Sequence, residues 1–238
     1  MNPLALRQPF HNCLLSSLPE LEINKLHSRL SPVVLKRNQT LHHAGEREET
    51  VYFLEQGVCS IVATLKDGDT VEVGLIGRDG FVGLPALLGT GYSLTRSVMQ
   101  SVGTGYSVKA RSLEELCFEG PSELRRRMFR SIHGALVQSA QAAACNRVHP
   151  LEERLCRWLL SCQDRMQTDS LAVTHEALAI MLGTRRSTVT LALGVLQKSG
   201  SIELSRGRVK IKSRAALQGT ACECYSVVSE EYTRLGLI

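Results

Sequence analysis

Residues 174–211 read THEALAIMLGTRRSTVTLALGVLQKSGSIELSRGRVKI. Thr174 can cap a helix from His175 to Leu182 with its hydroxyl. Gly183 supplies a turn, and a second helix is predicted from about Arg185 to Lys198, stopped by Gly200. The small Ala179 lets the two helices approach, and Val189 and Ala192 share a face that would point inward. These positions fit a helix-turn-helix; a plain helical hairpin is the alternative. Residues 202–211, IELSRGRVKI, then read as two strands around Ser205–Arg208, a basic hairpin able to act as a wing. Arg185 and Arg186 pose a question of sign. A helix N-terminus is already positive, so paired cations there are locally unfavourable. An external polyanion reverses the balance, because free N–H groups and guanidinium groups then face phosphate oxygens together.

Charge elsewhere in the chain agrees. The 238 residues carry a net +5, but residues 1–121 hold 11 Lys/Arg against 13 Asp/Glu. Residues 184–214 hold eight (Arg185, Arg186, Lys198, Arg206, Arg208, Lys210, Lys212 and Arg214) against Glu203 alone. A basic patch of that density suits a nucleic acid. Neither an apolar run long enough to span a bilayer nor a signal peptide is legible, so a cytoplasmic protein without a membrane partner is expected.

Upstream, residues 1–30 look helical, with Pro19 dividing two short helices. From 32 to 109 short runs rich in Val, Ile, Thr and Tyr (PVVLK, TVYFL, VCSIVATL, DTVEVGLI, RSVMQSV, GYSVKA) alternate with glycine-bearing turns. Such a pattern predicts an antiparallel sandwich or barrel. Ser112–Glu115 carries a capping-box signature for a short helix. Pro121 suits the first position of a longer one running to about Asn146. Along it Leu124, Met128, Ile132, Ala135 and Ser139 form a stripe of the kind that packs helix on helix. They are the candidate dimerisation seam, with packing against the chain's own sandwich as the alternative; Phe129, Leu136 and Ala140 form a second row, so that both can hold on different faces. Pro150 marks a boundary, followed by a helix from Leu151 to Cys162. The organisation expected is a roll over 1–121, a dimerisation helix over 122–149, a winged helix-turn-helix over 150–218 and a helical tail over 219–238. The fold class is α+β.

The eight cysteines are Cys13, Cys59, Cys117, Cys145, Cys156, Cys162, Cys222 and Cys224. Thiols are expected rather than disulfides. No CxxC pair occurs, and the spacings match neither a zinc nor an iron–sulfur pattern, so neither metal nor cofactor is expected.

The whole plan resembles the Crp/Fnr transcription regulators, over roughly residues 10 to 215. The parts that carry the resemblance are residues 174–211 and GRDGFVGLPALLG at 77–89. It implies a homodimer reading an inverted-repeat operator on double-stranded DNA, with RNA polymerase as a further partner. The implied base-contacting positions are Arg186, Ser187 and Thr190 or Leu191. Arg185, Thr188 and Thr174 lie beside them, and Arg206 and Arg208 on the wing reach backbone phosphates. Two residues depart from the pattern. Arg185 stands where the family often has Ser, and Leu191 where some members have an Arg. The family's cyclic-nucleotide pocket uses a Glu after a Phe-Gly pair and a later Arg-Ser. Here the corresponding residues are Gly83, Leu84, Arg96 and Ser97. Leu84 replaces the Glu, and a leucine accepts no ribose hydrogen bond, so an effector other than cyclic AMP, or none, is expected. Two rival classes stand beside this one. HHAGEREETVYFLEQG at 42–57 resembles a cupin metal motif, but adjacent His42 and His43 would point to opposite faces of a strand. The other is a protein-interaction module with a basic C-terminus.

Overall fold

Polar caps and a proline set the start of the chain in the computed structural model, which describes residues 10–238. Asn12 accepts from the backbone N–H groups of Leu14 and Leu15 at the head of helix α1 (Cys13–Ser16). Pro19 separates it from α2 (Glu20–His27), as the sequence predicts. Strands β1 (Ser31–Leu35), β2 (Thr40–His42), β3 (Thr50–Gln56), β4 (Cys59–Thr64), β5 (Thr70–Ile76), β6 (Arg96–Met99) and β7 (Gly103–Lys109) follow. All pairings among them are antiparallel, in the sheets β1-β7-β3 and β2-β6-β4-β5. The roll is therefore present. Three-residue β2 was not legible, since it is too short to show alternation. Phe53, Phe81, Val51 and Val108 fill the roll with no more than 3% exposure each. His42 is buried and His43 exposed, on opposite faces as expected.

Helix α3 (Ala110–Phe118) starts before Ser112, so the Ser112–Glu115 signature lies inside the helix and does not cap it. The long helix α4 (Glu123–Val148) begins after Ser122, not at Pro121. Its free N–H groups are taken up from outside: the Glu22 carboxylate of α2 accepts from Glu123 N at 2.9 Å and Leu124 N at 2.8 Å. An anion at the positive helix end also satisfies the macrodipole.

The seam expected on α4 needs correction. Leu124, Met128 and Ile132 are 2%, 0% and 8% exposed, packed into the roll's own core with Phe53, Phe81 and Leu113. Ser139 donates to the Val73 carbonyl at 2.9 Å, and Ala135 is half-buried. The first half of that stripe, Leu124 to Ile132, is thus occupied by its own sandwich, while Ser139 remains exposed. The second row is the free one: Phe129 is 45% and Leu136 64% exposed, and Ala140 is exposed.

The chain breaks at His149 and Pro150, and α5 (Leu151–Met166) begins. Then come β8 (Ser170–Leu171), α6 (His175–Met181), α7 (Arg186–Lys198), β9 (Ile202–Ser205), β10 (Arg208–Ile211), α8 (Arg214–Thr220) and α9 (Cys224–Leu235). A third antiparallel sheet has the order β8-β10-β9. Helix α9 lies across α4 at Gly134, where an added Cβ would meet Leu237 at 2.9 Å and Tyr232 at 3.1 Å.

Polar contacts lock the roll onto the C-terminal half. Arg165 of α5 meets Asp79 at 2.7 Å, both nearly fully buried. Gly77 makes room, since a Cβ there would lie 2.6 Å from the Arg165 side chain. The indole of Trp158 donates to Glu72 at 3.0 Å, and Ser60 donates to its other oxygen. Burial pushes the Glu72 carboxyl up to about 7, against the pull of these donors and of Arg157.

Candidate nucleic-acid interface

Thr174 caps α6, its hydroxyl accepting from Ala177 N at 3.1 Å. Leu182 ends that helix, and Gly183 turns the chain with φ +57°, a left-handed value that favours glycine. The next element, α7, is strongly two-faced. Val189, Ala192, Leu193 and Leu196 are at most 3% exposed and share a core with Leu178, Ala179, Ile202, Val209 and Ile211. Arg185, Arg186, Ser187, Thr188, Thr190 and Leu191 are all exposed. Leu191 is 72% exposed, an apolar side chain held out in water.

Arg185 stands at the N-cap of α7, and no side chain caps the helix. The two arginines and the uncapped helix end thus occupy one spot. That concentration of positive potential is what a phosphate oxygen needs. Thr190 differs from its neighbours. Its hydroxyl donates to the Arg186 carbonyl at 3.0 Å, and His175 Nδ1 lies 2.9 Å from that hydroxyl's own oxygen. It ties α6 to the first turn of α7, a role that sequence reading missed because His175 is 15 residues away.

The wing is a tight hairpin in which Arg208 pairs with Ser205 and Gly207 turns at φ +69°. Arg206 and Arg208 are exposed at its tip, and Arg208 donates to Ser170 Oγ at 3.0 Å. Between the wing and α6 runs a groove of about 520 Å³ bordered by Thr174, His175, Arg186, Arg206 and Arg208. Thr174, Arg186, Arg206 and Arg208 thus share this groove, while Arg185 and Thr188 border a second groove with Arg186, against the β4–β5 turn of the roll.

Comparison with known proteins fits this geometry. The cyclic nucleotide-binding domain family matches residues 32–119, and the Crp-like helix-turn-helix domain family residues 153–220. The transcriptional regulator LdrP of Thermus thermophilus is 30% identical over 193 residues, covering 78% of this chain and 94% of its own. This chain belongs to the Crp/Fnr family of transcription regulators. The global nitrogen regulator of a Nostoc strain is 27% identical over 199 residues, 78% of this chain and 88% of the relative. FixK2 from Bradyrhizobium japonicum shares the fold, with a TM-score of 0.70 at 17% identity, over 81% of this chain and 98% of that one. A CRP-family regulator from Thermus thermophilus has a TM-score of 0.67 at 23% identity, over 79% and 96%. The chain is a DNA-binding regulator and not an enzyme, which sets aside the cupin reading. No helix among its described residues is long and apolar enough to cross a membrane.

In this Crp/Fnr regulator the four residues expected at an effector site sit on the roll in unlike surroundings. Gly83 turns at φ +111°, and a Cβ there would lie 3.1 Å from the Thr50 carbonyl oxygen. Leu84 is half-buried and packs against the apolar clusters of both sheets. Ser97 is buried on β6, while Arg96 beside it is exposed. Inside the roll lies a polar pair the sequence did not flag, His42 and Glu48, 3.7 Å apart. Burial raises the Glu48 carboxyl to about 7 and lowers the His42 imidazole, so both resist charging.

The cysteines are free thiols, as expected, and the fold gathers three of them. Cys145 and His149, at the end of α4, converge with Cys222 and Cys224 at the start of the tail, and their ligand atoms lie within 4.8 Å of one another. The fold brings together two pairs that are more than 70 residues apart, so no local motif announces them.

Proposed function

We propose that this regulator acts as a homodimer that sets one α7 from each subunit into the major groove at the two halves of an inverted-repeat operator. The observation that carries the reading is the uncapped, doubly cationic N-terminus of α7 beside an exposed row of polar and apolar side chains. In a helix-turn-helix those N-terminal positions meet base edges, and two-fold symmetry spaces the half-sites about one helical turn apart. Arg186 and Ser187 read bases; Arg185, Thr188 and the Thr174 hydroxyl serve phosphates or adjacent edges. Leu191 meets a thymine methyl, the apolar feature of the groove. Arg206 and Arg208 hold the flanking backbone. RNA polymerase is a further partner in this reading, and the cytoplasm its compartment.

Arg186→Ala is expected to weaken the specific site roughly ten- to a hundredfold and to relax preference at one base pair. Arg206→Ala is expected to weaken specific and random DNA alike and to lower the salt slope by about one phosphate contact. Binding isotherms on both DNAs across a salt series check this. Equal losses on both DNAs for Arg186→Ala remove its base-reading role.

We further infer that cyclic AMP is not the effector. Leu84 offers the ribose no acceptor and is engaged by the apolar clusters on both sides. Calorimetric titration of the purified protein with cyclic AMP is expected to show no tight binding, and operator affinity no change on adding it. A micromolar dissociation constant abolished by Arg96→Ala overturns this inference.

A further inference from the structure

We propose that Cys145, His149, Cys222 and Cys224 form a four-ligand site for one zinc ion, joining the end of the long helix to the C-terminal tail. Cys145 and His149 are four residues apart at the end of α4, so both side chains lie on one helix face. Cys222 and Cys224 flank Glu223, the N-cap of α9. The three cysteines are at most 4% exposed and His149 is half-buried.

Two of the six ligand-to-ligand edges have the length found around a single ion, and all six are within 4.8 Å. Cys145 Sγ and Cys222 Sγ are 3.5 Å apart, and Cys224 Sγ lies 3.4 Å from His149 Nδ1. Tetrahedral zinc, with bonds of about 2.3 Å to sulfur and 2.0–2.1 Å to nitrogen, sets sulfurs about 3.8 Å apart and a sulfur–nitrogen pair about 3.6 Å apart. Both measured edges are within a few tenths of an ångström of those values. A disulfide needs sulfurs about 2.05 Å apart, well inside the measured separation. An iron–sulfur cluster spreads its ligands over several irons, and so over wider gaps than one ion does.

The surroundings match as well. His149 Nε2 lies 3.1 Å from the Glu223 carboxylate. A proton held there leaves Nδ1, the atom facing the cysteines, with its lone pair free; carboxylate–histidine–zinc sites use this arrangement. Gln141 donates its amide N–H to Cys224 Sγ at 3.2 Å. Three thiolates and one imidazole around Zn²⁺ leave a net charge of −1, and Arg157 lies within electrostatic reach of Cys145. Thiolate and imidazole donors are those zinc prefers, whereas magnesium and calcium seek oxygen.

The test is metal analysis of the full-length protein, purified under reducing conditions. One zinc per chain is expected. After chelation, titration with cobalt(II) should give thiolate-to-cobalt charge transfer and the intense visible bands of a tetrahedral centre, saturating at one equivalent. Cys224→Ser and His149→Ala should each weaken metal affinity at least tenfold. His149→Cys should keep a tetrahedral cobalt spectrum, and Glu223→Gln should lose about tenfold in affinity. Cys13→Ser, remote from the cluster, should change nothing. The wild-type cobalt titration decides the matter even where a variant fails to fold. Absence of stoichiometric zinc together with no tetrahedral cobalt spectrum overturns the proposal. So does iron with acid-labile sulfide, or a Cys145–Cys222 disulfide in the reduced preparation.

Discussion

If the regulator is the homodimer proposed above, Leu136→Glu is expected to make it a monomer and to reduce operator affinity by about 10²–10⁴-fold, the advantage lost when two half-sites are no longer bound by linked modules. Leu136 is 64% exposed at the middle of the free row on α4, with Phe129 seven residues before it and Ala140 four after. The three make a strip on one side of the helix, with exposed His133 filling the gap between Phe129 and Leu136. At its head Phe129 meets Phe118 edge to face, with centroids 6.5 Å apart. A carboxylate at the strip's centre would face its own copy across a two-fold axis, two like charges taken out of water. Sedimentation of the variant, together with its binding to an operator and to a single half-site, checks the result. A variant that remains dimeric moves the seam off this row. Ile132→Glu is no substitute for this experiment, because Ile132 is 8% exposed inside the roll and a charge there unfolds it.

Asp79→Ala is expected to destabilise the protein by about 3–5 kcal/mol, because Arg165 is left as a buried charge without its partner. The pair sits at 2.7 Å with side-chain exposures of 6% and 3%, and the Arg165 guanidinium also lies over the Tyr232 ring, 5.5 Å from its centroid. At this chain length such a loss lowers Tm by roughly 6–20 °C. Replacing both partners, Asp79→Leu with Arg165→Met, should recover most of it, since two apolar groups leave no unpaired charge. Thermal melts of the two single variants and the double variant complete the cycle. A single variant melting within a degree or two of wild type means that water reaches Arg165 and that the pair holds nothing together.

Local signals in the sequence carried the C-terminal half well. The cap Thr174, the turn Gly183 and the inward pair Val189 and Ala192 are set by rules spanning a few residues. The roll was visible through alternation and glycine turns, apart from β2. Reading failed where one pattern admitted two partners. The stripe from Leu124 to Ile132 is equally suited to a second subunit and to its own sandwich, and only the fold decides between them. The starts of α3 and α4 were misplaced by a few residues; at α4 Ser122 caps locally, and Glu22, about 100 residues before, adds a carboxylate no local motif announces. The cysteine site stayed hidden for a similar reason. Its halves are separated by an entire winged helix, and neither alone has a metal-binding spacing.

The tail helix α9 has a consequence for how the molecule is made. It packs on Gly134 and Gln138 of α4 and reaches Arg165 of α5, all of which leave the ribosome before it. Domains generally fold in order of synthesis, so the roll and the winged helix can each close while this face of α4 is still bare. Final docking waits for translation to reach Tyr232 and Leu237. A chain stalled or clipped before Cys222 would therefore carry a formed DNA-reading head on an unfinished shaft, with Gln138 and Cys145 uncovered to whatever chaperone or protease meets them first.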